Sequence, residues 1–549
     1  MFLSRIEKHN LFLYSATHVE HHTTLKSSHI TMNRLPFKSL ILILICGGIV
    51  GCATLPEDYP RSPSRAFADT HDTTLARRMG DKLQAHPGKT GVVLLESGAD
   101  AFVARAALSI AAEKSIDAQY YLYHDDKTAR LLTYQLLKAA DRGVRVRLLV
   151  DDMDLGGRDL SAASLDAHEN IEVRLFNPFI RGTPRLLQFA TRFGDITRRM
   201  HNKSFTVDNQ VSVVGGRNIG DEYFQAGKRF NFTDLDAMII GRGVSDVSGS
   251  FDLYWNHELA YPVSALVTTS IANKDIERLY QRLELHTRQL HQDPYIVALR
   301  TSKLANEIKA GSISFDWGVA HLVYDQPDKL IEGRDEHHYR LISDLAKEFK
   351  SVTDQLIIIS AYFVPGPLGT QFLEDLRKRG IRVRIITNSL ASTDVAVVHA
   401  GYAKYRRRLL KARVELFEAI PDSNTNRSNS TLSGSSAASL HSKSFVFDND
   451  RVFIGSFNLD PRSAVENTEM GLIIESKAVA GKVVDWFESF TMNNAYRLEL
   501  AASNTGGEKI TWYEPDGSGS LIWSHEPEVS WWKRLAVLSL RVLPLDSQL

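Results

Sequence analysis

Alternating apolar and polar residues mark two similar segments of the chain. The segment HNKSFTVDNQ begins at residue 201 and HSKSFVFDND begins at residue 441, so one ten-residue pattern occurs twice, 240 positions apart. A period of two predicts a β-strand in each copy and places its His and Lys on the same face of a sheet. The Asp-Asn pair that follows predicts a turn, after which a second apolar run begins at Val211 and at Val452.

The similarity extends upstream to a complete structural unit. The segment DRGVRVRLLVDD from Asp141 matches KRGIRVRIITNS from Lys378, and in each a Gly is placed to end a helix before an apolar strand. Strands and then helices are predicted before these segments, over roughly 116–122 and 127–140, and over roughly 355–363 and 369–379. Such strand–helix–strand segments predict an α/β fold of two tandem α/β sandwich domains, each on a largely parallel sheet.

The length of the chain supports a division into domains. A chain of 549 residues exceeds what one hydrophobic core usually holds. The predicted parts are a signal or lipoprotein segment, a linker, a first domain, a second domain and a C-terminal segment, over residues 1–52, 53–75, 76–310, 311–510 and 511–549. A Ser/Asn-rich loop at 423–439 precedes the second His, and it is expected either to gate a site or to be a neutral insertion.

The N-terminal part is predicted to attach the protein to a membrane. The apolar stretch SLILILICGGIVGC follows Arg34 and Lys38, which is typical of a signal peptide. It ends at Cys52 in a sequence that resembles a bacterial lipobox, so we expect Cys52 to carry lipid and Met32 to be the true start. The alternative is an uncleaved membrane anchor. Both place the body on the exported face of a membrane in the bacterial cell envelope.

Composition narrows the choice of partners. Lys plus Arg equals Asp plus Glu at 65 each, so the overall charge does not indicate nucleic acid or another polyanion. The two cysteines, Cys46 and Cys52, both lie in the N-terminal segment. The body therefore cannot rely on disulfide bonds.

The two His-Lys pairs are the candidate chemistry. If the domains pack about a pseudo-twofold axis, two imidazoles, two ammonium groups and two amides meet at one interface, which suits a phosphate group. The lysines would offset the charge of a phosphodiester, one histidine would attack phosphorus, and the other would act as acid and base. The motifs contain no carboxylate or Cys cluster of the kind that binds metal, so no metal or other cofactor is expected. The candidate catalytic residues are His201, Lys203, Asp208, His441, Lys443 and Asp448.

Further polar residues are assigned to supporting roles. Asn218 and Asn458, each 17 positions after its His, are expected to donate hydrogen bonds to phosphate oxygens. Glu469 and Asp234 are the predicted carboxylates that orient the histidines, with Asp236 as the next candidate. Asp208 and Asp448 stand at strand ends, where bonds to turn amides are the more expected role.

The paired HxKxxxxD motifs, each followed by G-[GS]-x-N, resemble the phospholipase D superfamily. Within it, NSLASTDVAVVHAGYAKYRRRLL, GGRNIGDEYF and NTEMGLIIES resemble the bacterial cardiolipin synthases of the C type. The resemblance runs from about residue 75 to the C-terminus. It implies a phosphatidyl-histidine intermediate on His201, acid–base catalysis by His441, and attack by a hydroxyl of phosphatidylglycerol. Gly216 replaces the serine of the second motif, so Ser456 is expected to be the one motif hydroxyl that binds phosphate.

The resemblance implies phospholipid substrates and a membrane, while the neutral net charge and the predicted lipid attachment argue against nucleic acid. Phosphatidylglycerol is the expected substrate, with phosphatidylethanolamine as a further candidate donor. Two segments favour a lipid partner, because each combines basic with apolar residues. One is residues 181–203, with Arg181, Arg185, Arg192, Arg198, Arg199 and Lys203, and the other is SWWKRLAVLSLRVLPL with Trp531 and Trp532. The alternative for residues 181–203 is a solvated helix face, and the alternative for the C-terminal segment is packing on the body.

Two other functions remain as alternatives: a phosphodiesterase that hydrolyses phospholipids or nucleic acid, and a non-catalytic scaffold.

Overall fold

Two halves of similar topology join their strands into one large sheet. The structure is a computed structural model that describes residues 54–227, 230–267, 269–331, 340–421, 438–502, 506–515 and 520–540. The predicted signal segment with Cys52, and nearly all of the loop predicted at 423–439, lie outside these residues. No helix among the described residues combines the length and the apolar character needed to cross a bilayer.

The first half alternates strands and helices. Its strands are β1 Thr90–Leu95, β2 Ser115–Tyr120, β3 Arg145–Asp151, β4 Ile171–Phe176, β5 Ser204–Val207, β6 Val211–Gly215, β7 Asn231–Thr233, β8 Asp236–Gly241 and β9 Ala260–Pro262. Its helices are α1 Thr74–Ala85, α2 Gly98–Ala111, α3 Lys127–Asp141, α4 Asp159–Asp166, α5 Arg185–Thr191, α6 Phe193–Ile196, α7 Arg242–Trp255, α8 Val263–Leu266, α9 Asn273–Gln289, α10 Pro294–Arg300 and α11 Lys303–Ala310, with a 3₁₀ turn at Asp221–Phe224.

The second half follows the same order and adds a C-terminal extension. Its strands are β10 Asp316–Tyr324, β11 Gln355–Ser360, β12 Arg382–Asn388, β13 Glu415–Ala419, β14 Ala438–Leu440, β15 Lys443–Phe447, β16 Arg451–Gly455, β17 Met470–Glu475, β18 Ala495–Ala502, β19 Glu508–Pro515 and β20 Ser520–Trp523. Its helices are α12 Arg340–Ser351, α13 Gly366–Lys378, α14 Ala396–Ala403, α15 Arg406–Lys411, α16 Pro461–Val465, α17 Lys477–Asn494 and α18 Trp531–Leu540, with a 3₁₀ turn at Pro327–Leu330.

Read outward from the centre of the sheet, the strands of the two halves follow the same order. From one edge the strand order is β9-β4-β3-β2-β5-β6-β8-β1, and it continues as β10-β17-β16-β15-β11-β12-β13-β18-β19-β20. The halves meet where β1 pairs with β10. A short parallel pair, β7 with β14, makes a second connection between the halves. This arrangement agrees with the predicted α/β fold of two tandem sandwich domains.

The prediction of a largely parallel sheet is wrong, because each half contributes only three parallel strands. These are β2, β3 and β4 in the first half and β11, β12 and β13 in the second. The helical crossovers between them make them parallel. The motif strands instead return through a tight turn, so β5 and β15 run antiparallel to both their neighbours. Each sheet is therefore mixed.

Apolar residues on both faces of the central strands bind the sheet to its helices and the halves to each other. In β11 every residue is buried, with Leu356 and Ile358 in the core beneath the helices of the second half. Ile357 and Ile359 point the other way, into a cluster that also contains Val92 of the first half. This alternation makes the interface between the halves a continuous apolar core.

Glycines end the two crossover helices at the positions where the sequence predicts a stop. Gly143 and Gly380 have φ values of 89° and 87°, a conformation that residues with a Cβ rarely adopt. Each is followed by a strand of the parallel group. The helices α3 and α13 therefore end within two residues of the predicted positions.

Asp208 and Asp448 stand in the tight turns that follow the motif strands. Both aspartates and the asparagines after them have positive φ between 50° and 59°. Asp and Asn tolerate this conformation better than other residues that carry a side chain. The buried Asp208 carboxylate also accepts hydrogen bonds from the amides of Glu113, Lys114 and Ser115 at 3.0, 2.7 and 2.9 Å. These contacts hold the start of β2 against the end of β5.

We predict that Asp208→Ala destabilises the fold by on the order of 3 kcal/mol, because three amides lose a charged acceptor. Asp208→Asn is the matched control, since it keeps an acceptor oxygen and tolerates positive φ, and we expect a smaller loss. Urea unfolding measures both. A loss of activity greater than about tenfold in correctly folded Asp208→Asn would contradict a structural role.

Candidate active site

Each motif histidine, His201 and His441, is held by the backbone of the opposite half. The amide of His201 donates to the carbonyl of Thr468 at 2.9 Å, and the amide of His441 donates to the carbonyl of Thr233 at 2.8 Å. In both cases the accepting threonine directly precedes one of the predicted orienting carboxylates. The two motif strands therefore meet at the interface in equivalent positions, as expected for a pseudo-twofold site.

Each motif histidine pairs with a carboxylate from the opposite half. Nδ1 of His201 lies 2.9 Å from Oε2 of Glu469, and Nδ1 of His441 lies 2.7 Å from Oδ2 of Asp234. Both carboxyl groups are fully buried. A carboxylate at Nδ1 fixes the tautomer of the ring and supports its charged form. Nε2 of each ring is therefore the nitrogen presented to a substrate.

Asp236, the next candidate for an orienting carboxylate, has a different role. Its carboxylate pairs with the buried guanidinium of Arg105 at 2.9 Å and lies 3.5 Å from Arg217. It therefore stabilises the core behind the site.

Two buried ammonium groups stand beside the histidines. Nζ of Lys203 donates to the carbonyl of His201 at 2.7 Å, and Nζ of Lys443 donates to the carbonyl of His441. In the described part of the chain, no carboxylate lies within ion-pair distance of either group. Burial lowers the pKa of both lysines, to about 7 for Lys203. Such a pair is stabilised by an anion that enters the site.

The surroundings of both histidines favour their neutral form. Burial, together with the nearby Lys203 and Lys443, lowers the pKa of His201 well below its ordinary value. Burial and Lys443 likewise lower the pKa of His441 to about 4. A neutral imidazole can attack phosphorus at once. An anion between the lysines would offset their charge and so favour protonation of a neighbouring imidazole.

The two carboxylates differ in their surroundings. Burial raises the pKa of Glu469 to about 7, although Lys203 and the hydroxyl of Ser456 oppose that rise. Burial acts the same way on Asp234, but the hydrogen bond and charge of His441 outweigh it and hold the pKa of Asp234 at about 2. Asp234 therefore remains a carboxylate, which suits it to stabilise a protonated His441.

Ser456 contacts a carboxylate in the structure, while phosphate binding by its hydroxyl stays a prediction. Its buried Oγ donates to Oε2 of Glu469 at 2.5 Å and accepts from the amide of Met470 at 3.0 Å. At the equivalent Gly216, an added Cβ would lie 2.6 Å from both carboxylate oxygens of Asp234. The shorter Asp234 therefore needs Gly216, whereas the longer Glu469 accommodates Ser456.

The side chains of Asn218 and Asn458 differ in the number of hydrogen bonds that they make. Oδ1 of Asn218 accepts from the amide of Leu122 at 3.1 Å, and its Nδ2 donates to the hydroxyl of Tyr223 at 3.0 Å. Oδ1 of Asn458 accepts from the amide of Tyr362 at 3.3 Å. Within the described residues its Nδ2 has no partner, so Asn458 is the better placed donor for a phosphate oxygen.

Aromatic rings line the site, and sequence reasoning missed them. Tyr121 makes an edge contact with His201 at a centroid distance of 4.9 Å, while Tyr223 and Phe232 contact His441 at 5.1 and 4.9 Å. Tyr121 directly follows β2, at the carboxyl edge of the parallel strands. That position is a signal for a site residue in an α/β sheet. The rings therefore form an apolar wall beside the two imidazoles.

The basic residues before His201 mainly hold loops in place, whereas the sequence suggests only that their segment favours a lipid partner. Arg199 is fully buried and pairs with Asp151 at 3.2 Å. Arg181 pairs with Asp152 at 2.5 Å. The remaining contacts are Arg181 with Asp159 at 2.8 Å, Arg198 with Glu466 at 3.3 Å and Arg185 with the carbonyls of Asp152 and Met153 at 2.8 Å. In the described part of the chain, no group of three His, Cys, Asp or Glu side chains could hold a metal ion.

The duplicated fold and its paired motifs define a member of the phospholipase D superfamily. Residues 106–236 and 345–491 match the family model described as cardiolipin synthase, PLD-like domain. The chain is 42% identical over 470 residues to cardiolipin synthase C of Escherichia coli, which covers 84% of this chain and 96% of that protein. It is 34% identical over 439 residues to an uncharacterized protein of Helicobacter pylori, which covers 79% of this chain and 86% of that protein.

A solved structure supports the fold. The phosphatidylserine synthase of Haemophilus influenzae superposes with a TM-score of 0.52 at 13% sequence identity, covering 86% of this chain and 100% of that chain. The chain belongs to the cardiolipin synthase family of phospholipase D-like proteins. It is thus an enzyme of the phospholipase D-type phosphatidyltransferase kind.

We predict that Glu469→Gln lowers kcat by about 10²- to 10⁴-fold, because the amide no longer fixes the tautomer of His201 or supports its charged form. Single-turnover assays with a labelled phospholipid measure the effect. Glu475→Gln is the matched control, since Glu475 is exposed at the other end of the same strand. Equal activity in Glu469→Gln and Glu475→Gln would show that the carboxylate does not act on His201.

Proposed function

We propose that this protein joins phosphatidyl groups to make cardiolipin, through a phosphatidyl-histidine intermediate. The observation that carries the proposal is the pair of buried ammonium groups, Lys203 and Lys443, beside two histidines that are each hydrogen-bonded to a carboxylate. This set matches the charge of a phosphodiester and the need for a nucleophile and an acid. The likeness to cardiolipin synthase C supports the same substrate class.

The first step transfers a phosphatidyl group to the protein. Nε2 of His201 attacks phosphorus and forms a P–N bond, while the P–O bond to the headgroup alcohol of the donor breaks. His441, protonated as the anion enters, gives its proton to the leaving oxygen. The carboxylate of Asp234, whose pKa is low, supports this assignment of His441 because it stabilises an imidazolium.

The second step passes the phosphatidyl group to an acceptor. A glycerol hydroxyl of phosphatidylglycerol loses its proton to His441 and attacks phosphorus, and the P–N bond to His201 breaks. Lys203, Lys443 and Nδ2 of Asn458 stabilise the charge on the phosphate oxygens. The donor is a second phosphatidylglycerol or a phosphatidylethanolamine.

Water is the competing acceptor, and with it the same intermediate yields phosphatidic acid. A synthase must hold the lipid hydroxyl near phosphorus, where positioning can raise effective molarities to 10⁵–10⁸ M. The rings of Tyr121, Tyr223 and Phe232 beside the histidines support transfer to the lipid hydroxyl, because an apolar wall would limit the entry of water.

The test is to incubate the protein with labelled phosphatidylglycerol, with and without phosphatidylethanolamine, and to separate the lipid products. We expect cardiolipin as the main product, and loss of turnover by about 10³-fold or more in His201→Ala and His441→Ala. His321→Ala is the control, because His321 is exposed on β10. Phosphatidic acid as the main product with ample phosphatidylglycerol would replace the synthase proposal with a hydrolase.

We further propose that the protein is a lipoprotein of the bacterial cell envelope, attached through Cys52. The support is the short apolar segment with its basic flank and the sequence that ends at this cysteine. Cys52→Ser should abolish incorporation of labelled palmitate and leave the precursor uncleaved. Cys46→Ser is the matched control and should keep the label. Equal labelling of both variants would rule out Cys52 as the attachment site.

A further inference from the structure

Two groups of large apolar side chains are exposed on short helices that precede or support the motifs. The first group, called the α5–α6 patch, consists of Leu186, Leu187 and Phe193, with Leu186 83% exposed. The second group, called the α18 patch, consists of Trp531, Trp532, Leu535 and Leu538, each at least half exposed. Trp531, Leu535 and Leu538 follow the spacing of one helix face. Clusters of this kind on a surface are uncommon without a partner.

The α5–α6 patch is fixed to the active-site edge of the first half. It follows β4, whose carboxyl end lies at the same edge as the carboxyl end of β2, beside the start of β5. Nδ2 of Asn177, the residue after β4, donates to the carbonyls of Asp195 and Arg198, at 2.9 Å each. The chain then reaches His201 three residues later. The patch therefore stands beside the first histidine.

The α18 patch is fixed to the equivalent edge of the second half. Val537, on the buried face of α18, packs in a cluster with Leu390 and Ala400, which follow the carboxyl end of β12. Asn388, the last residue of β12, exchanges hydrogen bonds with both backbone groups of Leu440, at 2.8 and 2.9 Å. Leu440 directly precedes His441. Both patches thus belong to the edge of the sheet that carries the site.

Basic side chains without a carboxylate partner lie beside both patches. Among the described residues, no carboxylate lies within ion-pair distance of Arg192 in the first patch or of Lys533 and Arg534 in the second. The other arginines of residues 181–199 hold loops, as described above. Among those arginines in the described residues, the side chain of Arg192 alone has neither a carboxylate nor a backbone carbonyl as partner. Exposed Trp and Leu with flanking Lys and Arg are the combination that inserts into the headgroup region of an anionic bilayer.

We propose that the two patches bind the surface of a bilayer that contains anionic phospholipid, so that the active-site edge faces the lipid. This inference rests on the proposed function, because a phospholipid substrate supplies the reason for the edge to face a membrane. The N-terminal attachment fixes only the distance from the membrane. The two patches, one from each half, would also fix how the protein is oriented on the membrane.

The test uses the full-length protein with vesicles whose phosphatidylcholine carries brominated acyl chains, which quench tryptophan within the bilayer. We expect strong quenching with vesicles that contain phosphatidylglycerol, and loss of most of that quenching in Trp531→Phe with Trp532→Phe. Weaker quenching with phosphatidylcholine alone is expected, because Arg192, Lys533 and Arg534 lose their anionic partners. Quenching in the double Phe variant that equals that of the wild type would overturn the proposal.

A second measurement compares turnover on vesicles with turnover on detergent micelles. Replacing Leu186, Phe193, Trp531 and Trp532 by Ser should lower the vesicle-to-micelle ratio at least tenfold. Ile110→Ser is the matched control, because Ile110 is 61% exposed at the end of α2, at the opposite edge of the sheet, and its ratio should not change. An unchanged ratio in the patch variant would overturn the proposal.

Two outcomes separate this proposal from its alternatives. Cardiolipin formation without bilayer quenching would leave the proposed function standing and remove the docking surface, whereas quenching without cardiolipin formation would do the reverse. If light scattering shows a dimer that the Ser variant converts to a monomer, the patches bind a second copy of the chain and the membrane proposal is wrong.

Discussion

A hydrogen bond from each half to the other sets the geometry of the whole site. Glu469 of the second half holds His201 of the first, and Asp234 of the first half holds His441 of the second. Neither half therefore contains a complete catalytic pair. The apolar core between the halves must position these groups to within a fraction of an ångström, because a hydrogen bond of 2.7 to 2.9 Å tolerates little displacement. In the proposed mechanism, packing between the halves is thus part of the catalytic machinery.

Burial explains the electrostatic state of the site. It lowers the pKa of both histidines and both lysines, so the site carries less positive charge than its composition suggests. An entering phosphodiester brings the missing negative charge and makes the charged lysines more favourable. In the proposed mechanism binding and activation are therefore linked, since the substrate anion would promote the protonation that one histidine needs.

Local patterns revealed the motif strands and the ends of the crossover helices, because the alternation around His201 and the conformation of Gly143 are properties of a few neighbouring residues. The crossing of the carboxylates joins residues 268 and 207 positions apart, so no local pattern could show it. The roles of Arg192 and Arg199 also differ only through tertiary contacts, since one is buried against Asp151 and the other is not. The mixed sheet follows from the tight turn at Asp208, which the sequence marked but whose effect on strand direction was missed.

The crossed pairs also constrain how such a chain can arise. A single-copy precursor with this topology would complete its site only when two identical copies met about a true twofold axis. Joining the copies into one gene frees the two positions to diverge. The pair Gly216 with Asp234 differs from the pair Ser456 with Glu469, and a Cβ at Gly216 would collide with Asp234. The two halves thus give their histidines different surroundings, which lets each histidine take a separate role.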